Sequence, residues 1–536
     1  MLNLSNIEKD LFHQGELYNA FKVLGSHLVY DSNAILIGAN FCLYQPNAKA
    51  VRIIIEDNLT YPLEEVTTKG FWYAFISNIG EEANYKYEIT TEDDTLIEII
   101  DPYCFYQKGS YSKVFNIDNF NWNDDSFINR NNIQEKPLII YQIHLCSWKK
   151  YEVFSFSELV NDLLPYLKKH GFTHIELLSL IDYENRYFSV HNINPYELMY
   201  FIDCCHQENI GVLVNISLNN QDYGQNEVKS ILISSSLFWL EYYHIDGIKL
   251  NNISEINDYQ GIEFLRQLNT AIYDAKPNTL MIAETKSKLP LLTKALKEGG
   301  LGFKLISNLN WTNSILEYFE EKSLFRKYLF QNIIISLETS VSEINLLSLP
   351  YNEFTHKSLL SKMPGDYWQK FANYRLLIGL LMTHPGKKLL FMGCEFAHMS
   401  EWNEKAELDW RLYQYPPHEF VNRFVRDLIR IYKSEEALSG SITGKLNDNG
   451  LFSFVRQNKT NTLVIIINTN ALNYNSYQMI VPYEGIYEEI INSDRDYYGG
   501  SNMVNISKLS TSKEKDDNYV EITIPPLGLI ILKRLK

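Results

Sequence analysis

Two apolar runs of this chain end in side chains able to do chemistry. Ile282-Ala-Glu-Thr285 presents Glu284, a carboxyl group at the end of a strand-like run. Such a group can give or take a proton. Asp246-Gly-Ile-Lys-Leu-Asn251 closes on a cation, Lys249, and an amide, Asn251. Side chains alternate along a strand, so Lys249 and Asn251 share a face while Asp246 points the other way. An amide carries no charge and is a poor nucleophile. The two strand ends therefore offer one proton-transfer group without a second carboxylate beside it.

Other candidates are weaker. His144 and His174 lack metal-ligand spacing and read as packed histidines, so neither a metal nor any other cofactor is expected. Gly299-Gly-Leu-Gly302 has the look of a loose phosphate loop but reads as a turn. The six cysteines, Cys42, Cys104, Cys146, Cys204, Cys205 and Cys394, form no C-x-x-C pair, which suggests buried free thiols in a reducing compartment. The first ten residues show no basic-then-apolar signal pattern, and no uncharged apolar run approaches the roughly 20 residues of a membrane span. A cytoplasmic protein is expected. The net charge is −16 and no basic stripe stands out, which argues against nucleic acid and anionic membrane as partners.

The elements that must position these groups follow from patterning. A length of 536 residues predicts two to four domains, and a hydrophobic fraction of 45% supplies their cores. Residues 11–24 have helical spacing and stop at Gly25. Short β-rich runs over 25–106, such as Val51–Ile55, Phe71–Phe75 and Tyr85–Ile89, predict a β-sandwich. Residues 107–136 are polar and read as a linker. Over 137–438, short apolar strands alternate with amphipathic helices. The strands are Leu138–Leu145, Thr173–Leu178, Gly211–Ile216, Gly247–Asn251, Leu280–Glu284, Gly302–Ile306, Ile344–Leu349 and Lys388–Phe391. Helices Phe156–His170, Asn226–Tyr243 and Ile262–Ala275 fall between them. That alternation predicts a (β/α)₈ barrel. Residues 439–536 are strand-rich again, with a hairpin between Phe452–Arg456 and Thr462–Ile467, and predict a second β-sandwich.

Along this frame the chain resembles the glycogen branching enzymes of the α-amylase superfamily. The resemblance runs from Leu11-Phe-His-Gln-Gly-Glu-Leu-Tyr18 through Ile140-Tyr-Gln-Ile-His-Leu-Cys-Ser-Trp148 and Gly171-Phe-Thr-His-Ile-Glu-Leu-Leu178. It continues through Lys362-Met-Pro-Gly-Asp366 and His384-Pro-Gly-Lys-Lys-Leu-Leu-Phe-Met-Gly393 to Ile524-Pro-Pro-Leu-Gly-Leu-Ile530. It implies a carbohydrate-binding-type sandwich, a catalytic barrel and a C-terminal sandwich. It also implies chemistry that cuts an α-1,4 link and rejoins the chain at a 6-hydroxyl with retention. Retention takes a nucleophile and an acid/base about 5–5.5 Å apart, and in this family a third carboxylate helps to hold the sugar.

Carried over residue by residue, the resemblance places the acid/base on Glu284. The family pattern Asp-Gly-x-Arg-x-Asp falls on Asp246 to Asn251, so its nucleophile position holds Asn251 and its arginine is Lys249. Lysine is a point charge and does not reproduce an arginine's bidentate fork. The family's His-Asp-Glu falls on Tyr351, Asn352 and Glu353, with His356 just beyond, so the third carboxylate becomes Asn352. The first site motif carries Asn215 and Asn220 in place of Asp and His. The segments after the third and fourth strands are short. Asn220 is followed almost at once by Asp222, and Asn251 reaches Gly261 in ten residues.

These substitutions predict a non-catalytic homologue that binds α-glucan or a partner of glycogen metabolism whose identity the residues do not reveal. Loss of a hydrolase's nucleophile costs on the order of 10⁶ in turnover. The alternative is a branching enzyme with weak or altered activity. Among the 37 tyrosines some would serve as platforms for sugar rings, although most pack at core edges.

Overall fold

The computed structural model describes all residues except 1–4, 67–69, 129–136, 179, 181–186, 219–220, 257, 287–290, 340–343, 350–356, 449, 515 and 536. Its centre is a closed barrel of eight parallel strands. They are Ile139–Ile143, His174–Leu177, Gly211–Ser217, Gly247–Asn251, Leu280–Thr285, Leu305–Asn308, Asn345–Leu349 and Lys387–Phe391. The expected barrel and its two flanking all-β units are thus present. The sixth strand lies a few residues later than its sequence suggests, because Gly302 sits at φ 77 and turns the chain instead of extending it. The helix Phe156–His170 falls where expected. Ser155 caps its start, and Gly171, at φ 87, ends it.

Alternation along the strands divides the barrel interior into two levels. Ile140, Leu213, Leu280, Ile282, Leu305, Leu346 and Leu389 form an apolar plug. Toward the strands' C-terminal ends the same faces turn polar. There Gln142, Glu176, Asn215, Lys249, Ser307 and Ser348 are all buried. Buried polar groups are costly unless they bond one another, so this level must be a network.

The N-terminal helix differs from its expected bounds. It spans Asn6–Gln14, with a capping box between Ser5 and Glu8, and stops at Gly15 in the left-handed conformation. The following apolar residues form a short 3₁₀ turn, Ala20–Lys22. The N-terminal sandwich pairs Gly25–Tyr30, Leu36–Tyr44, Phe71–Ser77 and Glu64–Glu65 in one sheet. Phe41 of that sheet meets Tyr85 of the other at 5.1 Å between ring centroids.

The reading of 107–136 as a linker is corrected over 107–128, and 129–136 lie outside the described residues. Tyr106–Lys108 and Tyr111–Lys113 are strands of the second sheet, with Ser112 opposite Tyr85. Val114, Phe115, Ile117 and Phe127 are buried. The polar composition misleads because several of its polar groups are bonded inward: Ser112 Oγ accepts from the Asp101 amide at 2.8 Å. The C-terminal unit has a six-stranded sheet and a three-stranded sheet enclosing Val464, Met479, Val520 and Ile530.

Candidate functional site

Glu284 and Asn251 stand side by side. Leu250 pairs with Ala283 on neighbouring parallel strands, so the next rung sets Asn251 against Glu284 at the open end of the barrel. This is the end where such barrels carry their chemistry. Gly247 allows the two strands to approach: a Cβ there would lie 2.3 Å from the Leu280 carbonyl oxygen.

Lys249 lies one inward position deeper. Its Nζ is 3.2 Å from Glu284 Oε2 and 2.8 Å from Glu176 Oε1. Burial pulls the ammonium down, but the Glu176 and Glu284 carboxylates outweigh it and hold Lys249 well above the ordinary lysine range. Lys249 is therefore a fixed cation wedged between two carboxylates.

Glu176 is the residue the sequence reading did not single out. It is fully buried on the second strand. Its Oε1 accepts from Gln142 Nε2 at 2.8 Å and from Asn215 Nδ2 at 3.1 Å, in addition to Lys249. Its Oε2 is shut off from solvent without a hydrogen-bond partner among the described residues. A signal was available: a carboxylate inside the apolar run His174–Leu177 is rare unless paired.

Asn251 Nδ2 donates to Asn215 Oδ1, and Asn251 Oδ1 has no partner among the described residues. Asn215, Lys249, Asn251 and Glu284 are thus linked in one network through Glu176. Asp246 is directed elsewhere. Its Oδ2 accepts from the Val212 amide at 2.6 Å and lies 3.1 Å from His206 Nε2. Asn220, Tyr351, Asn352, Glu353 and His356 lie outside the described residues.

Among the described residues of this network, Glu284 is the carboxyl at the rim, a group able to give or take a proton. The second carboxylate near it, Glu176, is buried and tied to Lys249, with the ammonium standing between the two. A hollow opens at the end of the eighth strand, with Phe391, His398, Glu401 and Trp402 in its wall. Trp402 is anchored by its Nε1 donating to Ser147 Oγ at 2.9 Å. Among the described residues, no group of three or more His, Cys, Asp or Glu is placed to hold a metal. His144 contacts Ser147 Oγ at 2.8 Å, and His174 contacts Thr173 Oγ1 at 3.0 Å, through their Nδ1 atoms. The six cysteines are free, but Cys146 is exposed and Cys204 half-buried, which corrects the expectation that all are buried. Among the described residues, no helix is long and apolar enough to cross a membrane.

Comparison with known proteins places this geometry. A family model described as the alpha-1,4-glucan branching enzyme GlgB, N-terminal domain, matches residues 6–103. Another, the alpha amylase C-terminal all-beta domain, matches residues 442–534. The 1,4-alpha-glucan branching enzyme GlgB of Bacillus subtilis (strain 168) is 36% identical over 611 aligned residues, covering 98% of this chain and 97% of that protein. The chain belongs to the branching-enzyme family. A second family member, the GlgB of Geobacillus stearothermophilus, is 35% identical, covering 99% of this chain and 96% of that one. The 611 aligned positions exceed the 536 residues present, so the Bacillus relative carries segments that this branching-enzyme homologue lacks. Among solved structures, a pullulanase complexed with maltotetraose from Anoxybacillus sp. LM18-11 has a TM-score of 0.76 at 15% identity, covering 99% of this chain and 89% of that chain. A putative alpha amylase from Salmonella typhimurium has a TM-score of 0.73 at 14% identity, covering 95% of this chain and 99% of that chain. At such identities these two likenesses speak for the fold alone.

Proposed function

We propose that the protein handles α-1,4-glucan in glycogen branching metabolism, and that its barrel site binds glucan without forming a covalent glycosyl intermediate. One observation carries the second half. The position beside Glu284 holds the Asn251 amide, and the second carboxylate in the network, Glu176, is buried behind Lys249. A retaining transfer needs a carboxylate poised on the far side of the sugar carbon from the acid. Asn251 supplies hydrogen bonds at that place and no charge.

A second reading is retained branching activity of weak or altered kind. Kinship over the whole chain with enzymes named for branching favours it, and supports it more directly than it supports silence. Under this reading Glu284 acts as the acid/base, with the nucleophile supplied from outside the Asn251 position.

Two measurements separate these readings. Purified protein incubated with amylose is assayed for new 1,6 linkages and for loss of iodine stain, and co-sedimentation with glycogen is measured in parallel. The expected result is retention on glycogen without branch formation above background. Branching near an ordinary enzyme rate of about 10 s⁻¹ overturns the silent site and establishes the second reading. Failure to co-sediment at all removes glucan binding.

A further inference from the structure

The far face of the barrel carries a hollow unlike the rest of this acidic chain. It is lined by Lys168, Lys169, Arg426, Arg430 and Lys433, with Asp427 the one carboxylate in its wall. The whole chain has a net charge of −16. Five cations against one anion in a single concavity depart from that average.

Topology sets the place. Helix Phe156–His170 follows the first barrel strand and runs back against it, so its end lies beside the strands' N-terminal ends. Helix Pro416–Ser434 does the same after the eighth strand. The hollow therefore faces away from Glu284 and belongs to neither the barrel mouth nor the sandwiches.

Several of its cations have ordinary duties. Lysines in a last helical turn complement the partial negative charge of the helix end. Lys168 pairs with Glu208, and Lys433 Nζ donates to the Gly171 carbonyl at 3.1 Å. Arg430 pairs with Asp427 at 3.1 Å. Lys169 and Arg426 are different, for neither has an ion-pair partner among the described residues. Arg426 Nε is also shut off from solvent with no hydrogen-bond acceptor among them. With Nε sealed off, an anion in the hollow would meet the remaining N–H groups of the Arg426 guanidinium, whose charge no carboxylate balances among the described residues.

We infer that this hollow is a binding site for a small phosphate-bearing anion, either inorganic phosphate or a sugar phosphate. A guanidinium fork matches the oxygens of a phosphate, and flanking lysines add point charge. A doubly charged anion gains more here than chloride does, which lets it enter against the negative field of the chain.

The test is calorimetric titration of the full chain with inorganic phosphate, and separately with glucose 6-phosphate, in low-salt chloride buffer. Saturable one-site binding with a Kd below about 1 mM is expected, weakening as salt screens the cluster. R426Q should weaken it about tenfold. K169Q, an exposed change that leaves the fold intact, should weaken it about threefold. Glucose 6-phosphate binding at least tenfold tighter than phosphate identifies a sugar phosphate as ligand, while equal affinity identifies phosphate itself. Absence of saturation below about 10 mM, or unchanged affinity in both variants, overturns the proposal.

Discussion

The Lys249 ammonium stands 3.2 Å from Oε2 of Glu284. This lysine reaches the rim carboxyl and, 2.8 Å away, the buried Glu176 with one point charge. It joins the rim of the site to its floor. Any glucan docking at Glu284 meets a carboxyl already engaged by an internal cation.

That position makes Lys249 a structural necessity. K249M leaves the buried Glu176 without a counter-charge, and breaking one side of a buried pair costs about 3–5 kcal/mol. A stability loss of about 3 kcal/mol is expected in urea unfolding. K249R keeps the charge and is expected to lose less than half as much. An unchanged midpoint in K249M would contradict a stabilising role for the Lys249–Glu176 contact.

Restoring the family's residues tests the Asn251 reading directly. N251D combined with K249R and N352D is expected to raise 1,6-linkage formation on amylose at least about tenfold over the unaltered chain, since a nucleophile is worth on the order of 10⁶. No rise would locate the deficit in the segments that the Bacillus relative has and this chain lacks.

Two buried groups predict how stability varies with pH. His206 Nδ1 lies 2.8 Å from Asp124 Oδ2, and its Nε2 lies 3.1 Å from Asp246 Oδ2. His244 shares Asp124 at 2.9 Å, and Phe127 stacks on the His206 ring. Burial pulls His206 down, but Asp246 and Asp124 outweigh it and lift the ring to about 9. Its contribution is full below the unfolded value near 6.5 and is lost as pH rises through about 9. Glu395 is lifted by burial to about 7, although the Tyr166 and Tyr141 hydroxyls oppose the rise. Its contribution is full below roughly 4.3 and is lost as pH rises through about 7. Both have the same sign, but burial lowers His170 to about 4 and His384 to about 3, which favours the fold as pH rises toward 6.5, so the thermal midpoint should fall only from about pH 7 to pH 9. H206Q should flatten that fall, E395Q should gain stability relative to the unaltered chain as pH rises from about 4.3 to 7, and a midpoint rising from pH 7 to pH 9 would contradict the His206 assignment.

Gly247 sets the spacing of the two strands that hold the site. A methyl group there meets the Leu280 backbone oxygen at 2.3 Å and Leu280 Cβ at 2.8 Å. G247A should therefore cost about 1–3 kcal/mol, the range for overpacking a well-filled interior, measured by denaturant unfolding. An unshifted midpoint would mean that strands four and five do not approach so closely.

Much of this molecule was legible in sequence because its signals are local. Period-two and period-3.6 patterning located the helix Phe156–His170, which the structure caps with Ser155 and Gly171, and Gly247–Asn251 was read as a strand to the residue. Strand alternation alone put Lys249 and Asn251 on one face and sent Asp246 away, as the His206 contact shows. The order of matching segments pointed to the family before any fold was in hand.

What the sequence left undecided depended on residues far apart in the chain. Gln142, Glu176, Asn215, Lys249 and Glu284 come from five separate strands, and no spacing rule relates them. Only closure of the barrel turns their alternate positions inward to one level, where the absence of water forces each polar group to find another. The same closure brought Arg426 and Lys169 to one hollow, while pairing in the N-terminal sandwich made strands of residues read as a linker. Identity and alternation determined which groups face inward; the tertiary structure alone decided that Glu176 and Glu284 share the single cation of Lys249.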